Sequence, residues 1–276
     1  MNYDSVPLRD FKELNDWETV IFVYQSALKQ VETKIDILNG EFQHRHKYNP
    51  IEHVKSRIKT PESIVKKLKR HGYESSIENM VRYVNDIAGI RISCSFTSDI
   101  YLIADMISKQ NDLTILARRD YMKNPKKSGY RSYHVITKYE VQTKEGPKEV
   151  KVEIQIRTMA MNFWATAEHS LRYKYSGNIP QELQDRLHNC AEAAFHLDQE
   201  MSTIREEITN AQRLNEIRRK MTSNILDNIR KLHFMLNLED MSAINKEFSD
   251  VWNSNDIDKL REFNERLNVL VEVYRI

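Results

Sequence analysis

The chain has 276 residues, of which 40% are hydrophobic and 30% charged, and its formal net charge is +2. This is the composition of a soluble globular protein, and the near-neutral charge argues against a general nucleic-acid-coating role, so any basic patch must be local. The sequence has neither an apolar run long enough for a membrane span nor a signal-peptide core, which predicts a cytoplasmic protein with no membrane partner. Only Cys94 and Cys190 occur, too few for a disulfide framework or a cysteine zinc site.

The first part of the sequence predicts two helices. Apolar residues recur at spacings of three and four from Leu14 to Leu38, which predicts an amphipathic helix that ends near Gly40. It packs on its own domain or lies in a subunit interface. A second helix is predicted in "KTPESIVKKLKRHG", where Thr60 is the N-cap and Gly72 follows the last turn.

The period then changes to two in "AGIRISCSF" (88–96) and most strictly in "VKVEIQIRT" (150–158). In the second segment four apolar side chains face the core, and Lys151, Glu153, Gln155 and Arg157 line the other face. An open face this rich in charge indicates that water or a ligand covers it. Further strands are predicted in "LTILA" (113–117) and over about 133–141. Helices are predicted over about 100–110, from 159 to near 177, and after Pro180 with breaks near 238–240 and 254–256.

Together these elements predict an α+β fold, a small mixed β-sheet flanked by helices, with helical N- and C-terminal segments. We divide the chain into an N-terminal helical segment (1–49), the core with the sheet (50–180), a following helix (181–213) and an additional helical extension (214–276).

Two carboxylates are candidate metal ligands. Asp86 precedes the strand 88–96, and Glu153 lies on the polar face of 150–158. If the two strands are neighbours, both acids lie at one end of a sheet, as a hydrated Mg²⁺ with phosphate ligands requires. Alternatively Asp86 caps a turn and Glu153 pairs with Lys151 or Arg157; we favour a function for Glu153 and leave Asp86 open.

Basic residues form two groups around these acids. The first comprises Arg57, Lys59, Lys67, Arg70 and Arg91, and the second Arg119, Lys126, Lys127 and Arg131. Two cation clusters around two acids fit two polyphosphate ligands, although each cation alone is more often a solvated surface charge. The second group surrounds "NPKKSGYRS" (Asn124–Ser132), called the basic loop below. Tyr130 in this loop could stack on a nucleobase, with the glycine allowing close backbone approach, or be half-packed.

Several mechanisms are excluded because their motifs are absent. The sequence contains neither GxxxxGK[ST] nor GxGxxG, and no HExxH, GxSxG or His-Asp pair. A nucleotide would therefore be held by side chains rather than by a glycine-rich loop.

The segments "DIAGIRI" (Asp86–Ile92), "RRDYMKNPKKSGYRSYH" (Arg118–His134) and "VEIQIRTMAMNFWATAEHSLRYKYSGNIP" (Val152–Pro180) resemble the synthetase domain of the RelA/SpoT family, most closely its single-domain small alarmone synthetases. The resemblance covers about residues 50–212. It implies a nucleotidyltransferase-like fold and a (p)ppGpp synthetase that transfers the β,γ-pyrophosphate of ATP to the 3′-hydroxyl of GDP or GTP and releases AMP. It also implies no hydrolase activity.

The resemblance assigns roles by motif position. It places Mg²⁺ on Asp86 and Glu153, with Glu153 also as the general base. It assigns ATP to Arg57, Lys59, Ser63, Lys67, Arg70 and Arg91. It assigns GDP or GTP to Arg119, Lys126, Tyr130, His134, Gln155, Asn162 and Glu168, with Tyr130 stacked on the guanine.

Two departures accompany the resemblance. A homotetramer is implied, with the product bound in a central cleft by lysines of the first helix, but Glu32 and Asp36 occupy the aligned positions here, which puts product activation in doubt. The chain also continues beyond the family core, and this tail either packs on the protein or binds a partner. Two other functions stay open: a regulator that binds nucleotide or single-stranded RNA, and a transferase that moves a nucleotidyl group and releases pyrophosphate.

Overall fold

The computed structural model describes residues 17–46, 48–174 and 179–274. Leu14 and the predicted helix end near Gly177 lie outside these ranges. The helices are α1 (Trp17–Arg45), α2 (Pro61–Arg70), α3 (Ile77–Tyr83), α4 (Thr97–Ser108), α5 (Met159–Lys174), α6 (Gln181–Leu232), α7 (Leu238–Asn253) and α8 (Ile257–Val273). The strands are β1 (Ile51–Ile58), β2 (Ala88–Cys94), β3 (Thr114–Asp120), β4 (Tyr133–Thr143) and β5 (Gly146–Thr158).

The five strands form one mixed sheet in the order β1-β2-β5-β4-β3. Strands β2 and β5 are parallel, and all other neighbours are antiparallel. The parallel pair places Gly89 opposite Glu153 and Arg91 opposite Gln155. The two strands that we predicted to carry the acidic residues are therefore neighbours, and the predicted mixed sheet flanked by helices is confirmed.

Strand β1 was not predicted from the sequence. Its apolar alternation is short, with charged residues between Val54 and Ile58, and its pairing register with β2 shifts between Ile51 and His53. A bulge of this kind breaks the period-two pattern that identifies a strand. The strand nevertheless extends the sheet and places Arg57 opposite Gly89.

One face of the sheet is apolar, and helices cover it. Buried residues of α1 and α4 form one cluster with the apolar side chains of β2 and β5, among them Tyr24, Ile103, Ile92 and Ile154. Since successive strand residues point to opposite faces, the charged side chains of β5 face away from this cluster. The charged side chains on this polar face are largely buried, since Glu153 and Arg157 are 8% and 4% exposed.

Helix ends agree with the predicted signals in part. Thr60 caps α2, accepting a hydrogen bond from the Ser63 amide, and Gly72 follows the helix with a φ of +76°. Gly40, which we predicted to end the first helix, lies inside α1 instead, because an interior glycine costs only about 1 kcal/mol. The break predicted near 238–240 lies a few residues earlier, at 233–237, where Asn237 caps α7. The break predicted near 254–256 separates α7 from α8.

The chain forms two compact units, residues 1–202 and residues 203–276. The first contains the whole sheet and the beginning of α6. The second contains the rest of α6 with α7 and α8, and its own apolar cluster includes Ile225, Leu232, Leu260 and Phe263. The domain limits given above stay a prediction. Within the described ranges, no helix has both the length and the apolar character that crossing a lipid bilayer requires.

Candidate active site

A cleft of about 1760 Å³ lies on the polar face of the sheet, entirely within residues 1–202. All five strands contribute to its lining, together with α2, α3, α5 and the first turns of α6. Eleven lysines and arginines line it against four carboxylates, although the whole chain carries only +2. Such a local excess of positive charge favours a ligand with several negative charges.

Twelve of the fifteen predicted site residues line this cleft. They are Arg57, Lys67, Arg70, Asp86, Arg91, Arg119, Lys126, Tyr130, His134, Glu153, Gln155 and Glu168. Lys59 does not line it but contacts Asp86. Ser63 is exposed on α2 and accepts a hydrogen bond from the Thr60 hydroxyl. Asn162 is half-buried, and its Oδ1 has no hydrogen-bond partner in the described part of the chain. The individual roles of these residues stay predictions.

Asp86 lies between two ammonium groups. Lys59 Nζ is 2.9 Å from its Oδ2, and Lys67 Nζ is 2.7 Å from its Oδ1. Burial opposes ionisation of this carboxyl, but the hydrogen bonds and charges of Lys67 and Lys59 outweigh burial and lower its pKa. Asp86 is therefore a carboxylate at neutral pH.

Glu153 is buried and accepts two hydrogen bonds. His134 Nδ1 is 3.2 Å from its Oε1, and Gln155 Nε2 donates to its Oε2 over 2.8 Å. Burial raises the pKa of Glu153, but these hydrogen bonds favour the anion and leave the pKa below its ordinary value. Neither Lys151 nor Arg157 pairs with this carboxylate, because Lys151 donates to the backbone carbonyl of Arg82 and Arg157 to other partners.

Arg157 contacts two of the predicted acceptor-site residues. Its Nη2 donates to the Tyr130 hydroxyl over 2.7 Å and to Gln155 Oε1 over 2.6 Å. The Tyr130 oxygen is also 2.8 Å from His134 Nε2. Burial lowers the pKa of His134, so its imidazole is neutral at neutral pH.

Two cations of the basic loop, Lys126 and Arg131, point in different directions. Lys126 Nζ lies 4.9 Å and 4.7 Å from the ring centroids of Tyr121 and Tyr130, inside the cleft. Arg131 points away from the cleft and forms two hydrogen bonds to Glu192 of α6, at 2.9 and 3.1 Å. Our grouping of Arg131 with the ligand-binding cations was therefore wrong, because its charge is already paired.

Gly129 of the basic loop makes a close contact with α6 rather than the close backbone approach to a nucleobase that we predicted. Gly129 has a φ of +83°, a region that side chains disfavour, and a Cβ there would lie 2.5 Å from Ala191 Cβ and 3.2 Å from His188 Nδ1. The glycine therefore lets the loop pack against α6, and its observed close approach is to that helix. This contact fixes the backbone next to Tyr130.

Two arginines of the first cation group come from the neighbouring strands β1 and β2. Arg57 of β1 and Arg91 of β2 both line the cleft, and the register pairs Lys55 with Arg91. Burial and the neighbouring charges of Arg157 and Arg57 lower the pKa of Arg91. Cations from four separate parts of the chain, Arg57, Arg91, Lys126 and Arg157, thus line one cleft.

Sequence reasoning missed several residues of the lining. Arg157 was placed on the correct face but given no role, and Tyr121 was not singled out. Tyr73 and Tyr83 stack with ring centroids 3.8 Å apart at the edge of α2 and α3, and both line the cleft. No local signal could have identified Tyr73 and Tyr83, since their pairing depends on how two helices meet.

The residues present suit a magnesium ion. Mg²⁺ prefers one or two carboxylates together with phosphate oxygens and water, and Asp86 and Glu153 are both ionised and line the same cleft. Among the described residues, no group of three or more His, Cys, Asp or Glu forms an all-protein metal site. The donor set is therefore that of a metal shared with a phosphate ligand.

Comparison with known proteins gives consistent matches. Residues 56–178 match the model of the region found in RelA / SpoT proteins. The chain is 44% identical over 195 residues to GTP pyrophosphokinase YwaC of Bacillus subtilis, covering 71% of this chain and 93% of that protein. The GTP pyrophosphokinase YjbM of the same organism is 44% identical over 196 residues, with 71% and 92% covered. A crystal structure of small alarmone synthetase 1 from B. subtilis bound to its product pppGpp superposes with a TM-score of 0.66 at 44% identity, covering 70% of this chain and 97% of that one.

Proposed function

The chain belongs to the RelA/SpoT family, and from this membership and the cleft we propose that it is a GTP pyrophosphokinase. It transfers the β,γ-pyrophosphate of ATP to the ribose 3′-hydroxyl of GDP or GTP, which yields (p)ppGpp and AMP. The observation that carries the proposal is the position of Glu153: a buried, ionised carboxylate on the strand between the two groups of cations. Relatives that cover most of the chain are named GTP pyrophosphokinases.

The donor nucleotide is assigned to the β1 and β2 side of the cleft. Arg57 and Arg91 lie on neighbouring strands, where planar guanidinium groups can stack on adenine. Lys67 and Arg70 extend from α2 into the same cleft and suit the triphosphate. Lys59 and Ser63 complete the proposed donor set, Lys59 through its contact with Asp86.

The acceptor nucleotide is assigned to the basic loop and β4. Tyr130 offers its ring to guanine, with Lys126 beside it. Arg119 and His134, opposite each other on β3 and β4, are assigned to the acceptor phosphates. Glu168 of α5, which lines the same cleft, is assigned to the acceptor site as well. Asn162 is the weakest member of the set because it does not line the cleft.

The proposed chemistry needs a base, an electrophile and charge neutralisation. Glu153 takes the proton of the 3′-hydroxyl while that oxygen bonds to the β-phosphorus of ATP. The bond from the β-phosphorus to the oxygen bridging the α- and β-phosphates breaks, and AMP leaves with both electrons. A Mg²⁺ held by Asp86 and Glu153 would neutralise phosphate charge and lower the pKa of the attacking hydroxyl. Lys67, Arg91 and the other lining cations stabilise the negative charge that develops.

Further properties are proposed with this function. A homotetramer, a cytoplasmic location and a role in the stringent response follow from the family assignment, the location because ATP and GTP are found there.

Glu32 is half-buried and Asp36 exposed on α1, so acidic groups stand where the product-binding lysines would be. We propose that product activation is weak or absent here. The protein is proposed to synthesise (p)ppGpp without hydrolysing it, since the sequence has no His-Asp motif.

The test is to incubate the purified protein with ATP, Mg²⁺ and either GDP or GTP and to separate the nucleotides by anion exchange. AMP that appears in step with a guanosine tetra- or pentaphosphate supports the proposal and ranks the two acceptors. Release of pyrophosphate without AMP would indicate nucleotidyl transfer instead. Tight binding of nucleotide or single-stranded RNA without either product would favour the binding regulator, in which Tyr130 stacks on a base of RNA.

A further inference from the structure

The basic loop contains a compact turn that carries two of the proposed acceptor residues. The Gly129 amide donates to the Lys126 carbonyl over 2.8 Å, and the Lys126 amide donates to the Tyr130 carbonyl over 3.2 Å. These two bonds fix the shape of the turn, because both join atoms within it. They do not fix where the turn lies in the cleft. Its position depends on contacts between the loop and the rest of the first unit.

Three residues of α6 contact the basic loop and are called the α6 anchor below: Ala191, Glu192 and Phe195. Glu192 accepts hydrogen bonds from both Nη atoms of Arg131, at 2.9 and 3.1 Å. The same guanidinium lies 4.1 Å from the Phe195 ring centroid. Ala191 packs against Gly129, where a side chain would not fit. The anchor therefore contacts the loop residues directly before and directly after Tyr130.

The contact between Arg131 and Glu192 is well defined in geometry. Arg131 is 9% exposed, and two parallel hydrogen bonds between a guanidinium and a carboxylate fix both their distance and their relative orientation. The hydrogen bond from Arg131 lowers the pKa of Glu192, so the pair is ionised at neutral pH. Arg131 Nη1 also donates to the Gly129 carbonyl over 3.3 Å. One guanidinium thus connects α6 to the loop backbone on both sides of Tyr130.

Helix α6 is in turn attached to the elements around the cleft. Phe195 packs against the apolar cluster of the sheet. Asp198 accepts a hydrogen bond from the Thr158 hydroxyl at the end of β5 over 2.6 Å, and Trp164 Nε1 of α5 donates to the Leu187 carbonyl over 2.9 Å. The α6 anchor is therefore fixed relative to the sheet, and the loop that contacts it has a fixed place in the cleft.

The far end of the Tyr130 ring has contacts of its own. Its hydroxyl bonds His134 and Arg157, and these bonds do not involve α6. The near end of the ring and the whole of Lys126 follow the loop backbone instead. Loss of the anchor would therefore move Lys126 and the backbone of the loop most, while the hydroxyl keeps its partners.

We propose that Arg131 and the α6 anchor are positioning residues for the acceptor nucleotide: they hold the basic loop, with Lys126 and Tyr130, in its binding position before the acceptor arrives. A site that is already ordered binds more tightly, because binding need not order it. If the loop without the anchor occupies this position for only part of the time, the apparent Kd rises by the inverse of that fraction. Arg131 acts through the loop, since it does not line the cleft. The inference rests on the proposed function where it takes GDP or GTP as the acceptor.

The first test measures amide hydrogen exchange in the nucleotide-free protein by mass spectrometry. Arg131→Met is expected to speed exchange in the peptide that covers residues 124–132 at least about tenfold and to leave β5 unchanged, because local opening exposes only the released segment. Arg118→Met is the matched control, since Arg118 is an exposed arginine of β3 that bonds Ser108 and does not line the cleft. Unchanged exchange of the loop in Arg131→Met would overturn the proposal.

The second test compares the two substrates. With a non-hydrolysable ATP analogue present, Arg131→Met should raise the Kd of GDP at least about fivefold, and the KM for GDP should rise in parallel. The kcat and the KM for ATP should stay within about threefold, because the residues assigned to the donor lie on other elements. Faster loop exchange with an unchanged Kd of GDP would refute the positioning role. An equal rise in the KM for ATP would also refute it, because the damage would then be general.

Glu192→Gln covers the case in which Arg131→Met fails to fold, because Glu192 is partly exposed and glutamine has nearly the same shape. The amide oxygen can accept from Arg131, but the NH₂ group faces a second donor. The Kd of GDP should rise at least about twofold. Glu200→Gln, a change at an exposed carboxylate of the same helix, should leave this Kd unchanged. A wild-type Kd in Glu192→Gln would contradict the proposal.

The double variant Arg131→Met/Glu192→Gln tests whether the two residues act through one contact. Its Kd for GDP should equal that of Arg131→Met, because the second change removes nothing that the first has left. Fold-changes that multiply would mean that the two residues act independently, which the proposal excludes.

The proposed function and the role of the anchor can fail separately. A wild type that binds GDP but makes no (p)ppGpp would refute the proposed function, while the Kd of GDP and the loop exchange would still decide the role of Arg131. A wild type that binds no guanine nucleotide would refute both.

Discussion

Lys67 Nζ lies 2.7 Å from Asp86 Oδ1, and this ion pair joins the last turns of α2 to the residue that leads into β2. Lys59 approaches the other oxygen of the same carboxylate. Both lysines belong to the set proposed to bind the ATP phosphates. In the nucleotide-free protein, the proposed metal ligand Asp86 is therefore neutralised by Lys59 and Lys67, which are proposed to bind phosphate.

We expect Asp86→Asn to lower turnover at least about 100-fold, because a metal ligand contributes several kcal/mol of charge stabilisation. AMP formation at saturating Mg²⁺ measures the effect. Asp105→Asn is the control, since Asp105 is exposed on α4 and its one ion pair within the described residues is with Lys109 in the next turn. Equal rates in the two variants would exclude Asp86 from metal binding.

Glu153→Gln should lower kcat by about 10²–10⁴-fold, the usual contribution of a general base. Nucleotide binding should be largely retained, because the amide has nearly the same shape as the carboxylate. Single-turnover kinetics and equilibrium binding of GDP test the two statements separately. An unchanged rate would remove Glu153 from the role of base.

Tyr130→Ala should raise the acceptor KM by about 5–150-fold, which corresponds to the 1–3 kcal/mol of a base stacked on an aromatic ring. The KM for ATP should change much less, since the donor is assigned to the β1 and β2 side. Tyr130→Phe keeps the ring and should keep the acceptor KM. Parallel effects of both variants on this KM would contradict stacking.

Gly129→Ala is expected to destabilise the first unit by at least about 1–3 kcal/mol, the cost of a strained backbone position. The new methyl group would also meet Ala191 at 2.5 Å. Gly146→Ala is the control, since its φ is +104° but nothing lies within 4 Å of an added Cβ. Urea unfolding should show a larger decrease in the free energy of unfolding for Gly129→Ala than for Gly146→Ala. Equal decreases would mean that the contact of Gly129 with α6 does not contribute to stability.

Asp198 gives a prediction about pH. Burial raises its pKa to about 6, although the Thr158 hydroxyl donates to it over 2.6 Å. The folded state therefore binds the proton more tightly than the unfolded state, and Asp198 makes stability fall as pH rises from about 4 to about 6. Asp198→Asn, which can still accept from Thr158, should be more stable than the wild type at pH 7 and lose this advantage at pH 4. Urea unfolding at both pH values checks this, and a pH-independent difference would contradict it.

Much of the site could be predicted from the sequence because its residues lie in short periodic segments. Alternation along β5 placed Glu153, Gln155 and Arg157 on one face, and backbone geometry alone requires this. The cap at Thr60 fixed where α2 begins and hence that Lys67 and Arg70 point in related directions.

Only the tertiary structure decided which distant groups meet. The sequence by itself determined the periods, the helix starts and the faces, because these depend on residues within one or two turns. It did not determine that Arg131 pairs with Glu192, that Gly129 packs on Ala191, or that Lys67 reaches Asp86. Those contacts join positions 19 to 62 residues apart, and packing and charge pairing across the whole first unit select them.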